Sequence, residues 1–594
     1  MSRERVIFRS DDPQFARLIL EELNRPLGDE LPISDLEDSD NDGGDADFVL
    51  SDHQSDSEQS EVSDSESTDE DGESVPRDVY RGKGKNRIPY VWGKQKPRHR
   101  GRAPAHNIVS HLPGLRNEAR ALSPGDINPL VMWELLMPNT MLEKIVNFTN
   151  TQLEAYRSNF QDPNRTDLRN VDLVEMRAYL GLLLLSSISK SGRESMSSLF
   201  SDDGHGRDIF RCTMSMKRFF ILTVCIRFDD KNTREARKQE DPTAAVNEVW
   251  AEFLLNSQRM YCISQNACVD EMLVPFRGRC KFRVYMPNKP AKYGLKVLCL
   301  TDARNSYLFN AYLYGGKNSD SIGLTHEEKK LSIPTQSVVR LVKPIEKSNR
   351  NVTCDNWFMS MELLNELKNR GLTVLGTLRK NKPEIPKEFL PNRGRAPGSS
   401  LFGFTNAATL VSYVPKKNKA VILLSSCHHD DKCDEVSGKP EMIIDYNSFK
   451  GGVDNLDKKC AIYSCNRRTR RWTLALFFAL LDISANNAYV LYSDSRERSQ
   501  MNRFCFIKKL GCFLIKEHLE RRAVNLRLPR ELRQKIQAIS GIKPEDPVQH
   551  GGPPKKKRCY TCPRNKDRKT ANFCVKCNQN ICGECSHAIC KNCV

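Results

Sequence analysis

The sequence predicts a multidomain protein of the α+β class, in which a mixed α/β region is flanked by helical segments. Three observations predict it. Apolar residues recur at helical spacing over 118–260, strand-like segments alternate with helices over 268–378, and 8 of the 21 cysteines fall in the last 36 residues. At 594 residues the chain is also too long for one hydrophobic core. Several domains are therefore expected.

The amino-terminal region, 1–117, is predicted to be disordered. Its acidic part, 27–76, contains 19 Asp plus Glu and no Lys or Arg, a composition that cannot bury enough apolar surface to order the chain. A basic stretch, 81–102, follows. Without the acidic part, the net charge of the chain rises from +17 to +36. So basic a body predicts a polyanionic partner such as nucleic acid.

A membrane protein is not expected. The most apolar runs, Leu180–Leu185 and Leu474–Leu481, are far shorter than the roughly 20 residues of a membrane span. The opening residues, MSRERVIFRSDD, contain no apolar signal region, which predicts an intracellular protein. The cysteines before the last 36 residues are then expected to be buried thiols rather than disulfides.

The ordered part of the chain is predicted to begin with an all-helical segment, 118–265. A mixed sheet is predicted over 266–457, because apolar, β-branched stretches recur there between helical patterns. Pro, Gly and basic clusters at about 379–441 predict a small insertion domain in that sheet, and the polar cluster His428–Cys433 is interpreted as a turn. Helical periodicity returns over 458–537.

Three acids stand out in the mixed region. Asp270 is predicted to close the first strand, Asp355 the fourth, and Asp454 to lie in the first turn of a helix that follows a Gly-Gly pair. Asp457 falls one turn later on the same helix face. This strand order matches RNase H-like nucleotidyl transferases, in which three carboxylates hold two divalent cations against a phosphodiester. We therefore expect two Mg²⁺ or Mn²⁺ per active site, bound by Asp270, Asp355 and Asp454.

Four motifs, VDEMLVPFRGR, VTCDNWF, GTLRKNKPEIP and FKGGVDNLD, resemble those of piggyBac-family DNA transposases in order and spacing. The resemblance extends from about residue 118 to the carboxyl terminus. It implies catalytic roles for Asp270, Asp355 and Asp454, with Asp457 as a fourth important acid. It also implies an RNase H-like core inserted in an all-α DNA-binding and dimerisation domain.

The resemblance further implies a DDD transposase, a metal-dependent nuclease and strand transferase. Such an enzyme nicks transposon ends, forms hairpin intermediates and inserts the element at TTAA sites. The expected partners are the terminal repeats and TTAA target DNA, bound by a homodimer. The alternative is a domesticated DNA-binding or chromatin protein without strand transfer, and a zinc-dependent interaction adaptor is a third interpretation.

Candidate DNA contacts lie in three basic segments. Arg277 and Arg279 follow the first strand, and Arg379 and Lys382 match family positions associated with target DNA. The segment NRRTRRW offers arginines for phosphates and an indole for stacking on an unpaired base; its candidates are Arg467, Arg468, Arg470, Arg471 and Trp472. Trp472 fits a core position equally well, because the apolar run LALFFALL follows it.

The carboxyl-terminal part is predicted to be a basic linker followed by a zinc module. The linker, 538–558, ends in PPKKKR, which indicates nuclear entry and hence a nuclear protein. Over 559–594 the cysteines come in pairs separated by two residues, the spacing that lets two thiolates reach one tetrahedral zinc. The eight candidate ligands, which predict two Zn²⁺ per chain, are Cys559, Cys562, Cys574, Cys577, Cys582, Cys585, Cys590 and Cys593.

The pairing of these ligands has two solutions by spacing. Interleaved pairing, with the first and third pairs sharing one zinc and the second and fourth the other, resembles the cross-brace of the family's cysteine-rich domain. Sequential pairing is the alternative. The family pattern has His where this chain has Cys585, and His587 is a possible substitute ligand.

Overall fold

A computed structural model of the chain separates into two compact units, 1–540 and 541–594. It describes residues 49–50, 78–83, 89–97, 108–109, 111–160, 162–163, 165–495, 501–541, 556–574 and 577–585. The predictions for most of the acidic part, for most of the basic linker and for His587, Cys590 and Cys593 lie outside these residues.

Helices dominate residues 117–260 and 441–540 on either side of the central strands, as the apolar periodicity predicts. In chain order, the α-helices of the described residues are α1 (Asn117–Ala121), α2 (Pro129–Glu134), α3 (Asn139–Arg157), α4 (Leu173–Ile188), α5 (Met196–Leu199), α6 (Asp208–Thr213), α7 (Met216–Cys225), α8 (Lys231–Glu240), α9 (Ala244–Met260), α10 (Ile333–Val342), α11 (Met361–Asn369), α12 (Glu441–Phe449), α13 (Gly452–Ile462), α14 (Trp472–Ser493), α15 (Arg503–Ala523) and α16 (Arg530–Ser540).

Strands concentrate in the middle of the chain. Those of the described residues are β1 (Val49–Leu50), β2 (Val79–Gly82), β3 (Tyr90–Gly93), β4 (Gly114–Leu115), β5 (Tyr261–Cys262), β6 (Asn266–Pro275), β7 (Arg283–Tyr285), β8 (Tyr293–Asp302), β9 (Leu308–Leu313), β10 (Asn351–Cys354), β11 (Thr373–Thr377), β12 (Ser400–Phe404), β13 (Thr409–Lys416), β14 (Lys419–Ser425), β15 (Lys557–Arg558) and β16 (Lys569–Thr570).

One large mixed sheet runs through the larger unit, in the order β1-β7-β8-β6-β10-β11-β14-β13-β12-β3-β2, with β9 also paired to β8. Strands β6, β10 and β11 are parallel neighbours, whereas β8 is antiparallel to both β6 and β9. Their side chains are buried almost throughout, as in a sheet covered by helices on both faces. Across the sheet, the five central strands lie in the order β9-β8-β6-β10-β11. Numbered by their position along the chain, this is the order 3-2-1-4-5.

The segment 379–441 continues this sheet rather than forming a separate insertion domain, which corrects the expectation from the sequence. Strand β14 pairs antiparallel with β11, β13 pairs with β14, and β12 with β13. The apolar runs of β13 and β14 are buried, so they fit the interior of a sheet. The Pro and Gly clusters that suggested a break lie in the connections between the strands.

The hairpin of β2 and β3 lies in the region predicted to be disordered, as do β1 and β4, so that prediction was wrong for these four strands. Trp92 is fully buried, and its indole N–H donates to the carbonyl oxygen of Glu384 at 2.9 Å. Tyr80 packs edge-on against Phe389, with ring centroids 5.0 Å apart. These aromatic contacts offset the ordering entropy of the hairpin. The prediction of disorder missed these contacts because it rested on the average composition of a highly charged region.

The first and last helical segments pack together beside the sheet. Helices α4 and α15 approach so closely that a Cβ on Gly181 would lie 2.9 Å from the Gly511 carbonyl oxygen. Helix α14 adds a stacked pair, Phe228 on Phe477, with centroids 4.4 Å apart. The helices that follow the sheet in the chain therefore pack against those that precede it, as the family resemblance implies.

Helix α14 is long and apolar enough to cross a membrane, and it is longer than the run Leu474–Leu481 suggested. Within the described residues it is the one helix that meets these criteria, but 94% of its apolar window is buried inside the protein. Its burial is that of a core helix.

Candidate active site and metal centres

Neighbouring parallel strands bring Asp270 and Asp355 together. In the register of β6 with β10, Val269 lies opposite Cys354, so the next residue of each chain segment is one of the two acids. Paired strands lie about 4.8 Å apart, and residues opposite each other emerge on the same face. Asp270 lies within β6 rather than at its end, because β6 continues to Pro275 whereas β10 stops just before Asp355.

The third acid reaches the same place on α13. This helix begins at Gly452, where a Cβ would lie 2.6 Å from the Thr301 hydroxyl oxygen and 2.7 Å from the Cys268 Cβ. The absence of a side chain therefore lets the helix N-terminus lie directly on β6 and β8. Asp454, in the first turn of α13, is then close enough for its charge to raise the pKa of Asp270.

Substituting Gly452 by Ala tests this close approach. We expect a loss of about 1–3 kcal/mol of unfolding free energy, because the added methyl must displace the helix from the sheet. Chemical denaturation of the full chain measures it. Gly125→Ala is the matched control, since a Cβ there has no heavy atom within 4 Å. Equal stability of both variants would contradict the proposed role of Gly452.

Lys289 supplies a positive charge among these acids. Its Nζ donates to the Asp454 Oδ1 at 3.1 Å and to the Glu271 carbonyl oxygen at 2.9 Å. Burial alone would lower the pKa of Lys289, but the charges of Asp270, Glu271 and Asp454 raise it above the usual range. Burial, followed by the neighbouring charge of Glu271, raises the pKa of Asp270 well above its usual range.

Asp457 lies one turn beyond Asp454 on α13. Burial raises the pKa of Asp457 to about 6, and the charge of Asp454 adds to this shift while Lys289 opposes it. The predicted placement of the two acids on one helix face is therefore present in the fold. Asp454 is the more exposed of the two, with 64% of its side chain accessible.

A second set of contacts orients Asp355. Its Oδ1 accepts the Asn356 backbone N–H at 2.6 Å and the Thr377 hydroxyl at 3.1 Å. The Thr377 hydroxyl also lies 3.4 Å from the buried Tyr446 hydroxyl. Because Thr377 ends β11 and Tyr446 belongs to α12, two further elements fix the direction of this carboxylate.

The donor set fits small divalent cations. Asp270, Asp355 and Asp454 offer carboxylate oxygens, which are the ligands that Mg²⁺ and Mn²⁺ prefer. The ammonium of Lys289 already lies against the Asp454 carboxylate, so the place accommodates a cation. Within the described residues, the oxygens of these three acids do not form a group that lies within 4.8 Å of one another. The chemistry of the donors, placed on a strand pair and a helix, is therefore what suits a cation site.

His428 departs from the interpretation of its segment as a polar turn. Its Nε2 lies 3.1 Å from the Asp445 Oδ2, and its Nδ1 lies 2.8 Å from the Ser425 hydroxyl oxygen. Only 12% of its side chain is exposed. Burial would lower the pKa of His428, but the bonds to Asp445 and Cys427 raise it to about 10. The pair thereby ties α12 to the end of β14.

This raised pKa predicts a stability that depends on pH. The contribution of charged His428 is fully present below the unfolded-state pKa of about 6.5 and is lost as pH rises toward 10. We expect His428→Asn to cost about 1–3 kcal/mol at pH 6, since it breaks a buried pair, and clearly less at pH 10. Chemical denaturation at both pH values measures this difference. The prediction fails if the cost is the same at both.

Three of the predicted basic residues share a surface. Arg277 and Arg279 are exposed, and Arg277 lies over the Tyr293 ring at 5.7 Å. Between them, a Cβ on Gly278 would lie 2.7 Å from the backbone oxygen of Arg470, which is exposed as well. The arm after β6 and the NRRTRRW segment therefore meet, and Arg277, Arg279 and Arg470 form the basic arm surface.

Other members of NRRTRRW serve the interior. Arg467 donates to the Ser191 and Glu194 carbonyl oxygens, and Arg471 donates to three carbonyl oxygens at the end of α7, those of Thr223, Val224 and Ile226. Trp472 is 7% exposed and packs edge-on against Phe282 at 5.0 Å. Of its two possible roles, Trp472 has the core one. Arg468 remains exposed.

Arg379 and Lys382 lie in the turn after β11, close to the acids. The Arg379 Nε donates to the Asn356 side-chain oxygen at 3.3 Å, one residue from Asp355. The Lys382 backbone N–H donates to the Arg379 carbonyl oxygen at 3.1 Å, which closes the turn. Both side chains are half-buried. The turn is thus attached to the carboxylate site.

Four cysteines of the smaller unit come together. The sulfurs of Cys559, Cys562, Cys582 and Cys585 lie within 4.8 Å of one another. The Cys562 Sγ lies 3.6 Å from that of Cys582 and 3.5 Å from that of Cys585, near the roughly 3.8 Å between thiolates on one tetrahedral zinc. The cluster joins the first and third pairs, as interleaved pairing predicts. It fits one metal ion.

Of the second predicted zinc set, the structure describes Cys574 and Cys577. Cys574 is buried and packs with Ile581 and Cys577.

One thiol of the cluster of four has a lowered pKa. Burial opposes ionisation of Cys559, but backbone N–H groups, that of Cys582 foremost, lower its pKa to about 6. A thiolate of lowered pKa is a ready metal ligand.

Comparison with known proteins places the chain in a family. The family model described as Transposase IS4 matches residues 128–489. A cryo-EM structure of a piggyBac transposase synaptic complex with hairpin DNA superposes with a TM-score of 0.71 at 32% identity, covering 82% of this chain and 100% of that one. The chain belongs to the piggyBac-type transposase family.

Human members of this piggyBac-type family are more distant. PiggyBac transposable element-derived protein 2 of Homo sapiens is 22% identical over 417 residues, which span 66% of this chain and 66% of that protein. PiggyBac transposable element-derived protein 3 of Homo sapiens is 21% identical over 411 residues, spanning 66% of this chain and 65% of that protein. The chain thus matches slightly less than two thirds of the length of these relatives.

Three residues around the piggyBac-type acids escaped the sequence analysis. Lys289 lies in the connection between β7 and β8, and Thr377 ends a strand without any motif of its own. Tyr446 had the clearest signal, because it stands beside Asp445 in the stretch that leads to Gly451-Gly452. Lys289 and Thr377 reach the acids by contacts between residues distant in sequence, and such contacts produce no recognisable spacing pattern.

Proposed function

We propose that this chain is a metal-dependent DNA transposase that excises an element and inserts it at TTAA sites. The observation that carries the proposal is the strand register that sets Asp355 beside Asp270, with Asp454 added by α13. The strand order 3-2-1-4-5 supports an RNase H-like catalytic core. Family membership supports the reaction class, since the match covers these elements.

The chemistry follows from the carboxylates. Asp270, Asp355 and Asp454 would hold two Mg²⁺ or Mn²⁺, which when bound stabilise negative charge on the attacking and leaving oxygens of a phosphodiester. Thr377 and the Asn356 N–H hold the Asp355 carboxylate in one direction. The close contact of Gly452 with the sheet fixes the height of Asp454 above the strands, and Asp457 supports the site from the next turn.

Double-stranded DNA is the proposed substrate. The basic arm surface offers arginines that neutralise phosphates. The turn of Arg379 and Lys382 is tied to the residue after Asp355, so it suits contact with target DNA at the reacting phosphate. The solved piggyBac complex contains hairpin DNA, which supports hairpin intermediates for this chain as well. A homodimer on paired terminal repeats and a nuclear location complete the proposal.

Zinc belongs to the smaller unit. The sulfur geometry supports one Zn²⁺ on Cys559, Cys562, Cys582 and Cys585. A second Zn²⁺ would take the remaining predicted ligands, which are Cys574, Cys577, Cys590 and Cys593. His587 is the alternative to Cys585 at the first ion. Such ions stabilise a segment that has too small an apolar core to fold without them.

The second candidate function is DNA binding without strand transfer. The names of the human relatives, which describe them as transposable element-derived, favour it. In that case the acids would persist as a structural feature, while the basic arm surface and the cysteine module would carry the activity.

A two-step experiment tests the proposal. Selection from a randomised duplex pool identifies the sequences that the full-length protein binds. These are then placed at both ends of a TTAA-flanked element and incubated with protein and Mg²⁺ or Mn²⁺. We expect nicked ends, hairpins on the excised element and joints at TTAA in a target plasmid. Tight binding with neither nick nor joint in either metal would support the second candidate instead.

A further inference from the structure

The turn between β7 and β8 presents Lys289 to the carboxylate site in a fixed way. The Lys289 N–H donates to the Met286 carbonyl oxygen at 3.2 Å, and the Lys292 N–H donates to that of Lys289 at 3.0 Å. A third bond, from the Met286 N–H to the Lys292 carbonyl oxygen, closes the turn at 2.7 Å. The backbone of this lysine is therefore held while its side chain extends over β6.

The side chain of Lys289 is largely buried and contacts the acidic site rather than solvent. Only 15% of it is exposed, compared with 64% of Asp454, its partner at 3.1 Å. Its second bond, to the Glu271 carbonyl oxygen, anchors the ammonium to β6 directly beside Asp270. One ammonium is thus placed between the strand acid and the helix acid.

This position has an electrostatic consequence. The charge of Asp454 acts on both Asp270 and Asp457, and the ammonium of Lys289 offsets part of that repulsion at each of them. The Asp454 oxygen that Lys289 contacts is also one that a divalent cation would use. The Lys289 ammonium and a divalent cation would therefore weaken each other's binding to the Asp454 carboxylate.

We propose that Lys289 is a resident counter-cation that competes with divalent metal for the Asp454 carboxylate and gives way when metal binds. The inference rests on the proposed function, because it takes the three acids as the metal site. Lys289 is a positioning residue in this sense: it keeps Asp454 in place beside Asp270, and it sets how much divalent cation is needed to load the site.

Replacing Lys289 by Met tests the inference, because Met keeps the length of the side chain and removes its charge. Zinc-replete full-length protein is treated to remove Mg²⁺ and titrated calorimetrically with Mn²⁺ alone. We expect K289M to bind Mn²⁺ about two- to fivefold more tightly than the parent, the effect of removing one partly exposed competing ion pair. Its thermal midpoint before Mn²⁺ addition should fall, because the acids then lack their counter-cation.

Two matched variants make the result specific. K292M removes an exposed lysine from the same turn, and K289R keeps the charge at the original position; both should bind Mn²⁺ with the affinity of the parent. Equal or weaker Mn²⁺ binding by K289M would overturn the inference, and so would tighter binding by K289R. If neither the parent nor K289M binds Mn²⁺ at these acids, the metal site of the proposed function fails as well.

Discussion

Asp355→Asn is expected to reduce DNA-end cleavage by about 10³-fold or more, because it removes a metal-binding charge worth several kcal/mol in the transition state. The amide oxygen of Asn can still accept the Thr377 hydroxyl and the Asn356 N–H, so the fold and DNA binding should persist. Cleavage of labelled end duplexes in Mg²⁺ measures the activity, and a gel-shift titration measures binding.

The control for this variant is Asp434→Asn. Asp434 is exposed and accepts the Ser437 N–H at 2.7 Å, a bond that an Asn oxygen also makes. The Asp434→Asn variant should cleave DNA ends at the rate of the parent protein. Full cleavage by the Asp355 variant would remove the carboxylate site from the mechanism, whatever the family match.

Substituting cysteines of the smaller unit should have the second large effect. Cys562→Ser is expected to lower the zinc content by one ion per chain and to destabilise the fold around that ion, since structural zinc contributes on the order of 10 kcal/mol to such segments. The unit 1–540 should keep its own unfolding transition. Elemental analysis and limited proteolysis of the full chain measure the two effects, with the exposed Cys433→Ser as control.

The double variant Cys562→Ser, Cys582→Ser distinguishes the two pairing schemes. If the first and third pairs share one ion, as the sulfur distances indicate, the double variant loses no more zinc than the single one. If pairing were sequential, the two cysteines would belong to different ions and both ions would be lost. Loss of both would contradict the interleaved cluster.

The strands of the central sheet could be predicted because each is a short apolar run bounded by polar turns. Their order could not be derived from periodicity, since pairing depends on contacts between distant residues. The same limit explains the error at β12–β14, where loops rich in Pro and Gly suggested a break although the strands themselves are apolar and buried.

The site shows the same division. Asp270, Asp355 and Asp454 were predicted because acids beside buried strands or in a helix turn are unusual, and their motifs resemble a known family. Lys289 was not, because a lysine in a turn is ordinarily solvated. Arg467 and Arg471 look like DNA contacts in sequence, but their guanidinium groups donate to backbone carbonyl oxygens, such as those of Glu194 and Ile226.

The hairpin of β2 and β3 bears on how the protein can be shortened. Its strand β3 completes the edge of the sheet at β12, and Gly82 lies so close to the Glu384 backbone that a Cβ would approach its oxygen to 2.5 Å. A truncation starting at residue 118, where family resemblance begins, would strip this cover and expose Phe389 beside the turn of Lys382. Amino-terminal deletions meant to remove only the acidic tail should therefore end before Asp78.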